Sequence, residues 1–343
     1  MPYGADLPSE NRRRLAIWLI VVAALVVSMV ILGGVTRLTN SGLSMVEWKP
    51  VTGWLPPIGE EAWNAEFEKY KAFPEYKKVN KGMSLDEFKG IFVFEYAHRV
   101  LGRIIGLAFF VPMVFFILTR TVKARHIPRL IGLLILGGGQ GVMGWVMVKS
   151  GLVDHPDVSH YRLTAHLSLA CLIFMALLWT ALDLLKNDEE ITPPSALKSL
   201  AQIVMWLVFV QILIGGFVAG LNAGFIYNEW PLMGDGFLPE EFMDLTPWYM
   251  NFMENIATIQ FTHRIGAYVV LAASLVAVWK VMKAGNLKQV KAARMLAATV
   301  ILQILIGIWT LLAVVPVSLG ALHQAGGLMV LGASVFLLHR LSR

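Results

Sequence analysis

The sequence predicts an all-α integral membrane protein whose eight transmembrane helices form two tandem four-helix bundles. Three observations carry that prediction. The 343 residues are 57% hydrophobic and 15% charged, with a mean hydropathy of +0.64, too little charge to cover a water-soluble surface. Eight continuous apolar runs are each long enough for a bilayer-spanning helix of about 20 residues; their lack of alternation argues against barrel strands. The last four runs also repeat the first four, in order and in particular residues.

Run one (15–36) follows Arg12, Arg13 and Arg14, as a signal peptide would. Its length and the lack of a small-residue cleavage site predict a retained helix instead. It ends in G-G-V-T-R-L-T-N-S-G (Gly33–Gly42), before an outer loop with Glu47, Trp48 and Pro50. Run two (97–118) opens on F-E-Y-A-H-R-V-L-G (Phe94–Gly102), and run three (130–148) carries Gln140 and Gly144. Run four (163–185) opens on L-T-A-H-L-S-L-A with His166 and holds the single cysteine, Cys171. One cysteine excludes a disulfide or a cysteine metal cluster within the chain.

Run five (199–220) ends in G-G-F-V-A-G-L-N-A-G (Gly215–Gly224), so Gly33, Asn40 and Gly42 recur as Gly215, Asn222 and Gly224 at one offset. The same register carries Glu47-Trp48 onto Glu229-Trp230, followed by Pro231. Run six (260–280) opens on Q-F-T-H-R-I-G, in which Gln260 replaces Glu95. Run seven (294–316) repeats the Gln and Gly as Gln303 and Gly307; run eight (319–339) opens on A-L-H-Q-A-G-G with His323. Glycines alone would mean close helix packing, but a register shared by Asn, Glu and Trp means duplication. Residues 1–190 and 191–343 are thus predicted as two halves of one topology, related by a pseudo-twofold axis along the membrane normal.

The loops set the orientation. Arg120, Lys123, Arg125 and Arg129 lie between runs two and three, and five basic residues without an acid lie from Lys280 to Arg294. The loop from Leu221 to Ile256 has six acids and no Lys or Arg. Both termini and the basic loops are expected in the cytoplasm, so the net charge of +6 reflects topology and not nucleic-acid binding.

Of eight histidines, His126, His155, His160 and His339 read as solvated or interfacial residues. His98, His166, His263 and His323 open the even-numbered runs, two per half, all towards the outer side. Facing imidazoles in an apolar bundle suit the two axial positions of a haem iron, whereas zinc takes three or four protein ligands. Arg99 and Arg264, each one residue after such a histidine, are candidates for haem propionates. Glu95 lies three residues before His98 and shares its helix face. It is a candidate proton donor or acceptor, with simple pairing to Arg99 as the alternative. Both sites lie near one membrane face, which argues against a transmembrane electron wire. The competing readings are a bis-haem electron-transfer oxidoreductase and a haem carrier built from two repeats; the carrier is disfavoured because prolines fall in loops or near helix ends.

At these residues the chain resembles the haem A synthase family, membrane enzymes that oxidise a methyl group of haem O to the formyl group of haem A. The resemblance runs nearly end to end, through G-G-V-T-R-L-T-N-S-G-L-S-M, E-Y-A-H-R-V-L-G-R, G-V-M-G-W-V-M-V-K-S-G-L, F-T-H-R-I-G-A-Y and L-H-Q. It implies haem b held by His263 and His323, haem O facing His98 and His166, and Glu95 needed for turnover. The implied setting is the bacterial inner membrane, with lipid, an electron donor, and haem O synthase or cytochrome oxidase assembly factors as partners. A homo-oligomer is left open. The outer-loop cysteine pair of some bacterial members is absent, which places the chain with the proteobacterial and mitochondrial branch.

Overall fold

The computed structural model describes residues 3–49, 52–151, 158–186 and 197–342. The helices are α1 (Ser9–Leu38), α2 (Glu60–Lys71), α3 (Pro74–Lys78), α4 (Leu85–Leu118), α5 (Ile127–Gly151), α6 (His160–Leu185), α7 (Lys198–Gly220), α8 (Asn251–Glu254), α9 (Ile256–Ala284), α10 (Leu287–Leu312) and α11 (Val317–Ser342). Eight of them, all but α2, α3 and α8, are long and apolar enough to cross a membrane.

Helix α1 packs on α4 and α6, and α5 closes the quartet by meeting α4 and α6. Helices α7, α9, α10 and α11 make the corresponding ring: α7 on α9 and α11, with α10 between α9 and α11. The quartets join through α6 on α7, α1 on α11 and α6 on α11. Leu19, Leu177, Leu296, Leu331 and Leu337 fill this centre and are almost fully buried. The outer flanks stay apolar and uncovered, as at Phe115, Leu118 and Ile135; lipid is the solvent that makes such a surface stable.

Helix ends follow local chemistry. Asn40 and Asn222 sit just after α1 and α7 with φ of 50° and 55°, the left-handed conformation that Asn tolerates better than most residues. This accounts for the recurrence of Asn at that point. Arg37 ties the two ends together by donating to Gly220 O and to the side chains of Asn40 and Asn222. Helix α10 starts with a capping box between Asn286 and Gln289, so it begins earlier and ends earlier than run seven predicts, at Leu312.

Helix α4 departs most from the hydropathy reading. A capping box between Ser84 and Glu87 starts it at Leu85, twelve residues before run two. The added turns turn Phe88 and Phe92 towards Phe67 and Tyr70 instead of lipid, with Phe88 stacked on both at 5.0 and 5.1 Å between ring centres. The first outer loop is therefore folded onto an extension of α4. His98 lies thirteen residues, about 20 Å, along that helix. Pro112 lies inside α4; proline is tolerated within membrane helices, where neighbours re-satisfy freed backbone groups.

Candidate functional site

The four histidines occupy four similar seats. In each helical hairpin the first helix offers a glycine to the imidazole of the second. A Cβ on Gly33 would lie 3.3 Å from His98 Nε2, and one on Gly144 3.1 Å from His166 Cε1. On Gly215 it would lie 3.1 Å from His263 Cε1, and on Gly307 2.7 Å from His323 Cε1. The doubled glycines have separate tasks. Gly33 and Gly215 seat a histidine of their own half, while Gly34 and Gly216 receive Gln324 and Thr164 from the other half.

One helical turn before three of these glycines stands a glutamine. Gln140 Nε2 donates to His166 O (3.1 Å) and lies 3.3 Å from His166 Nε2. Gln211 Nε2 donates to His263 O (2.7 Å) and lies 3.1 Å from His263 Nδ1. Gln303 Nε2 donates to His323 O (2.8 Å) and lies 3.1 Å from His323 Nδ1. The sequence reading paired Gln140 with Gln303 but missed Gln211. The signal was present: Q-I-L-I-G occurs identically at 211–215 and 303–307, which makes each histidine hairpin the smaller repeating unit.

His263 and His323 face each other with ring centres 6.3 Å apart and planes at 78°. An iron bonded to both imidazoles would need about 6.4 Å, taking about 2.0 Å per metal–nitrogen bond, as for histidine on zinc, and about 1.2 Å from nitrogen to ring centre. The separation of the two rings matches that of two imidazoles sharing one iron. The oxygens Gln140 Oε1, Gln211 Oε1 and Gln303 Oε1 are all buried without a partner. A metal-bound imidazole carries a proton on its other nitrogen and needs an acceptor there, which a turned glutamine amide provides. Among the described residues no group of three or more His, Cys, Asp or Glu could hold a metal ion.

The first half is less prearranged. His166 turns Nε2 to Gln140 and leaves Nδ1 buried and unpartnered. Among the described residues, His98 and His166 make no ring contact with each other, and no hydrogen bond to the His98 ring is formed.

Glu95, 3% exposed, has both oxygens engaged. Oε2 accepts from Ser44 Oγ at 2.8 Å and from Met45 N at 2.7 Å; Oε1 accepts from Arg99 at 3.1 and 2.5 Å. Arg99 also donates to Glu47 O and Met45 O, both at 2.7 Å. The carboxylate thus anchors the segment after α1. Gln260 has the same post with inverted polarity, donating to Ala223 O (2.8 Å) and Ile226 O (2.6 Å) and accepting from Arg264. Arg264 donates to Leu232 O and Tyr227 O, while its Nε is buried without a partner. Of the two tryptophans at the loop repeat, Trp48 lies over the Arg99 guanidinium and Trp230 donates to Tyr268.

The remaining histidines are only partly as expected. His126 and His339 are buried, not solvated, because each meets a carboxylate: Asp6 at 2.8 Å and Asp183 at 3.1 Å. Burial would raise the Asp6 carboxyl, but hydrogen bonds from Lys123, Arg125 and His126 outweigh it and hold the group well below the usual carboxylate range. His160 packs on Tyr161 and Phe217, and His155 lies outside the described residues.

Known proteins match this chain over nearly its whole length. The model of a family described as cytochrome oxidase assembly protein matches residues 16–335. A protein of Parvibaculum lavamentivorans named Heme A synthase is 54% identical, the match covering 97% of this chain and 96% of that protein. Proteins of the same name from Nitrosospira multiformis and Rhodospirillum centenum are 48% and 47% identical. Those matches cover 100% and 98% of this chain, and 98% and 91% of the relatives.

Proposed function

The chain belongs to the cytochrome oxidase assembly protein family, and on that footing we propose that it is a haem A synthase acting in the inner membrane of a bacterium. It oxidises the methyl group of haem O to a formyl group by successive oxidations through the alcohol. The reaction belongs to the first half, residues 1–190, where His98 and His166 face the substrate haem. The second half, residues 191–343, keeps haem b between His263 and His323, and that haem supplies one-electron chemistry when bound. Both termini are cytoplasmic and both sites lie towards the outer face.

The observation that carries this division is the difference between the two histidine pairs. His263 and His323 stand at the spacing of two ligands of one iron, as suits a resident cofactor. His98 and His166 lie near enough to act on each other's charge but lack that ring pairing, as suits a haem that must enter and leave. In the first half Glu95 and Arg99 fix the segment 44–47 over the site and help exclude water. In the second half Arg264, whose Nε is buried without a partner, is the residue that would hold a propionate.

The test is expression in a host that makes haem O but not haem A, followed by chromatography of the extracted haems. Haem A appears if the reading is right; haem O persisting as the only product sinks it. His263→Ala should also remove the low-spin b-type spectrum of the purified protein, and an unchanged spectrum would refute the ligand assignment.

A further inference from the structure

The hairpin motif is complete three times and broken once. Gln140, Gln211 and Gln303 each stand one turn before the glycine that seats a histidine. The offset that carries Gly33 onto Gly215 carries Met29 onto Gln211. The two side chains occupy comparable places. Met29 Cε lies 3.3 Å from where a Cβ on Gly102 would be, and Gln211 Oε1 lies against the corresponding stretch of α9 at Gly266.

A thioether has no N–H and is a weak acceptor. Met29 therefore neither holds the main chain at His98 nor accepts a hydrogen bond from its ring N–H as an amide oxygen would. The acceptor that orients a metal-bound histidine and strengthens its bond is worth about 10–100-fold in metal affinity. Three of the four rings have such an amide at hand, and the fourth has none.

We infer that Met29 makes His98 the exchangeable iron ligand of the four: a haem held in the first half opens on the His98 side, while His166, His263 and His323 stay bound. This rests on the ligand assignment proposed above and adds which of the four ligands yields. Met29 acts as a positioning residue, through what it fails to offer His98.

Carbon monoxide, which binds ferrous haem only where an axial ligand gives way, is the probe. Purified wild-type protein with its bound haems is compared with Met29→Gln and with the converse change, Gln211→Met. Met29→Gln should weaken carbon monoxide binding about 10–100-fold and leave the second-half low-spin spectrum unchanged. Gln211→Met should create carbon monoxide binding at the second-half haem, and it needs only that haem to be present, so the idea remains testable if the first variant folds poorly. Wild-type binding in Met29→Gln, or a Gln211→Met haem that excludes carbon monoxide as the wild type does, overturns the inference. A wild-type protein without a bis-histidine haem in the second half overturns the ligand assignment itself, and the inference with it; that result is visible before any variant is made.

Discussion

Replacing Glu95 with Gln should open the segment after α1 rather than merely remove an acid from the site. The carboxylate accepts hydrogen bonds from Ser44, Met45 and twice from Arg99, and both members of the ion pair are nearly buried, with side chains 4% and 8% exposed. An amide has one acceptor oxygen, so its NH2 must face either the Ser44 and Met45 donors or the guanidinium. Removing one partner of a buried pair costs about 3–5 kcal/mol. Arg99 keeps its two carbonyl acceptors, and Arg264 is accommodated beside Gln260 in the same way, so the lower end, about 3 kcal/mol, applies. That is roughly a 150-fold change in an opening equilibrium. Amide hydrogen exchange over residues 41–49 reads it directly, since the Met45 N–H is one of the bonds lost. Exchange there should accelerate about 100-fold, with residues 223–230 as the internal control. Loss of haem A with unchanged protection of residues 41–49 would refute the anchoring argument and return Glu95 to a direct part in proton transfer.

Gly307→Ala should displace the His323 ring, since the new Cβ would stand 2.7 Å from Cε1; the haem retained per protein after detergent washing should fall, and full retention would show that the seat is not needed. Asp183→Ala should destabilise its end of the bundle by about 3 kcal/mol, the lower end for a broken buried pair because Arg129 is partly exposed, since Asp183 is the carboxylate shared by Arg129 and His339. A thermal unfolding midpoint equal to wild type would count against it.

How much of this was legible beforehand differs by element. The eight spans were readable because continuous apolar runs have few other uses, and the duplication because Asn40 and Asn222 keep a register with their glycines. The start of α4 was not: Phe88 and Phe92 are as apolar as lipid-facing residues, and only the folded outer loop shows that they pack on Phe67 and Tyr70. His98, His166, His263 and His323 stood out from the eight by their repeat, and each is seated against a glycine of the preceding membrane helix. The buried state of His126 and His339 could not be read, since their carboxylate partners lie 120 and 156 residues away. Q-I-L-I-G was in plain view twice, but its purpose depends on a glutamine and a histidine meeting across two helices.

The exchange of Glu95 for Gln260 was the most conspicuous difference between the halves, and its meaning lies in what faces each side chain. Ser44 and Met45 present donors to the first; Ala223 and Ile226 present acceptors to the second. Each half thus has the side chain that its own loop can bond, and a charge difference follows. Arg99 is in a contact ion pair with Glu95, whereas Arg264 bonds the neutral Gln260 and meets a carboxylate only at longer range, from Glu229, with its Nε unpartnered. A guanidinium without a contact carboxylate is freer to pair with an anionic propionate than one already held in an ion pair. Met29, in the place of the glutamine, and Glu95 beside Arg99 then act in one direction. On the proposed ligand assignment, the first half would grip the iron less firmly through His98 and a propionate less firmly through Arg99, which is what a site for a departing product requires and a site for a resident cofactor does not.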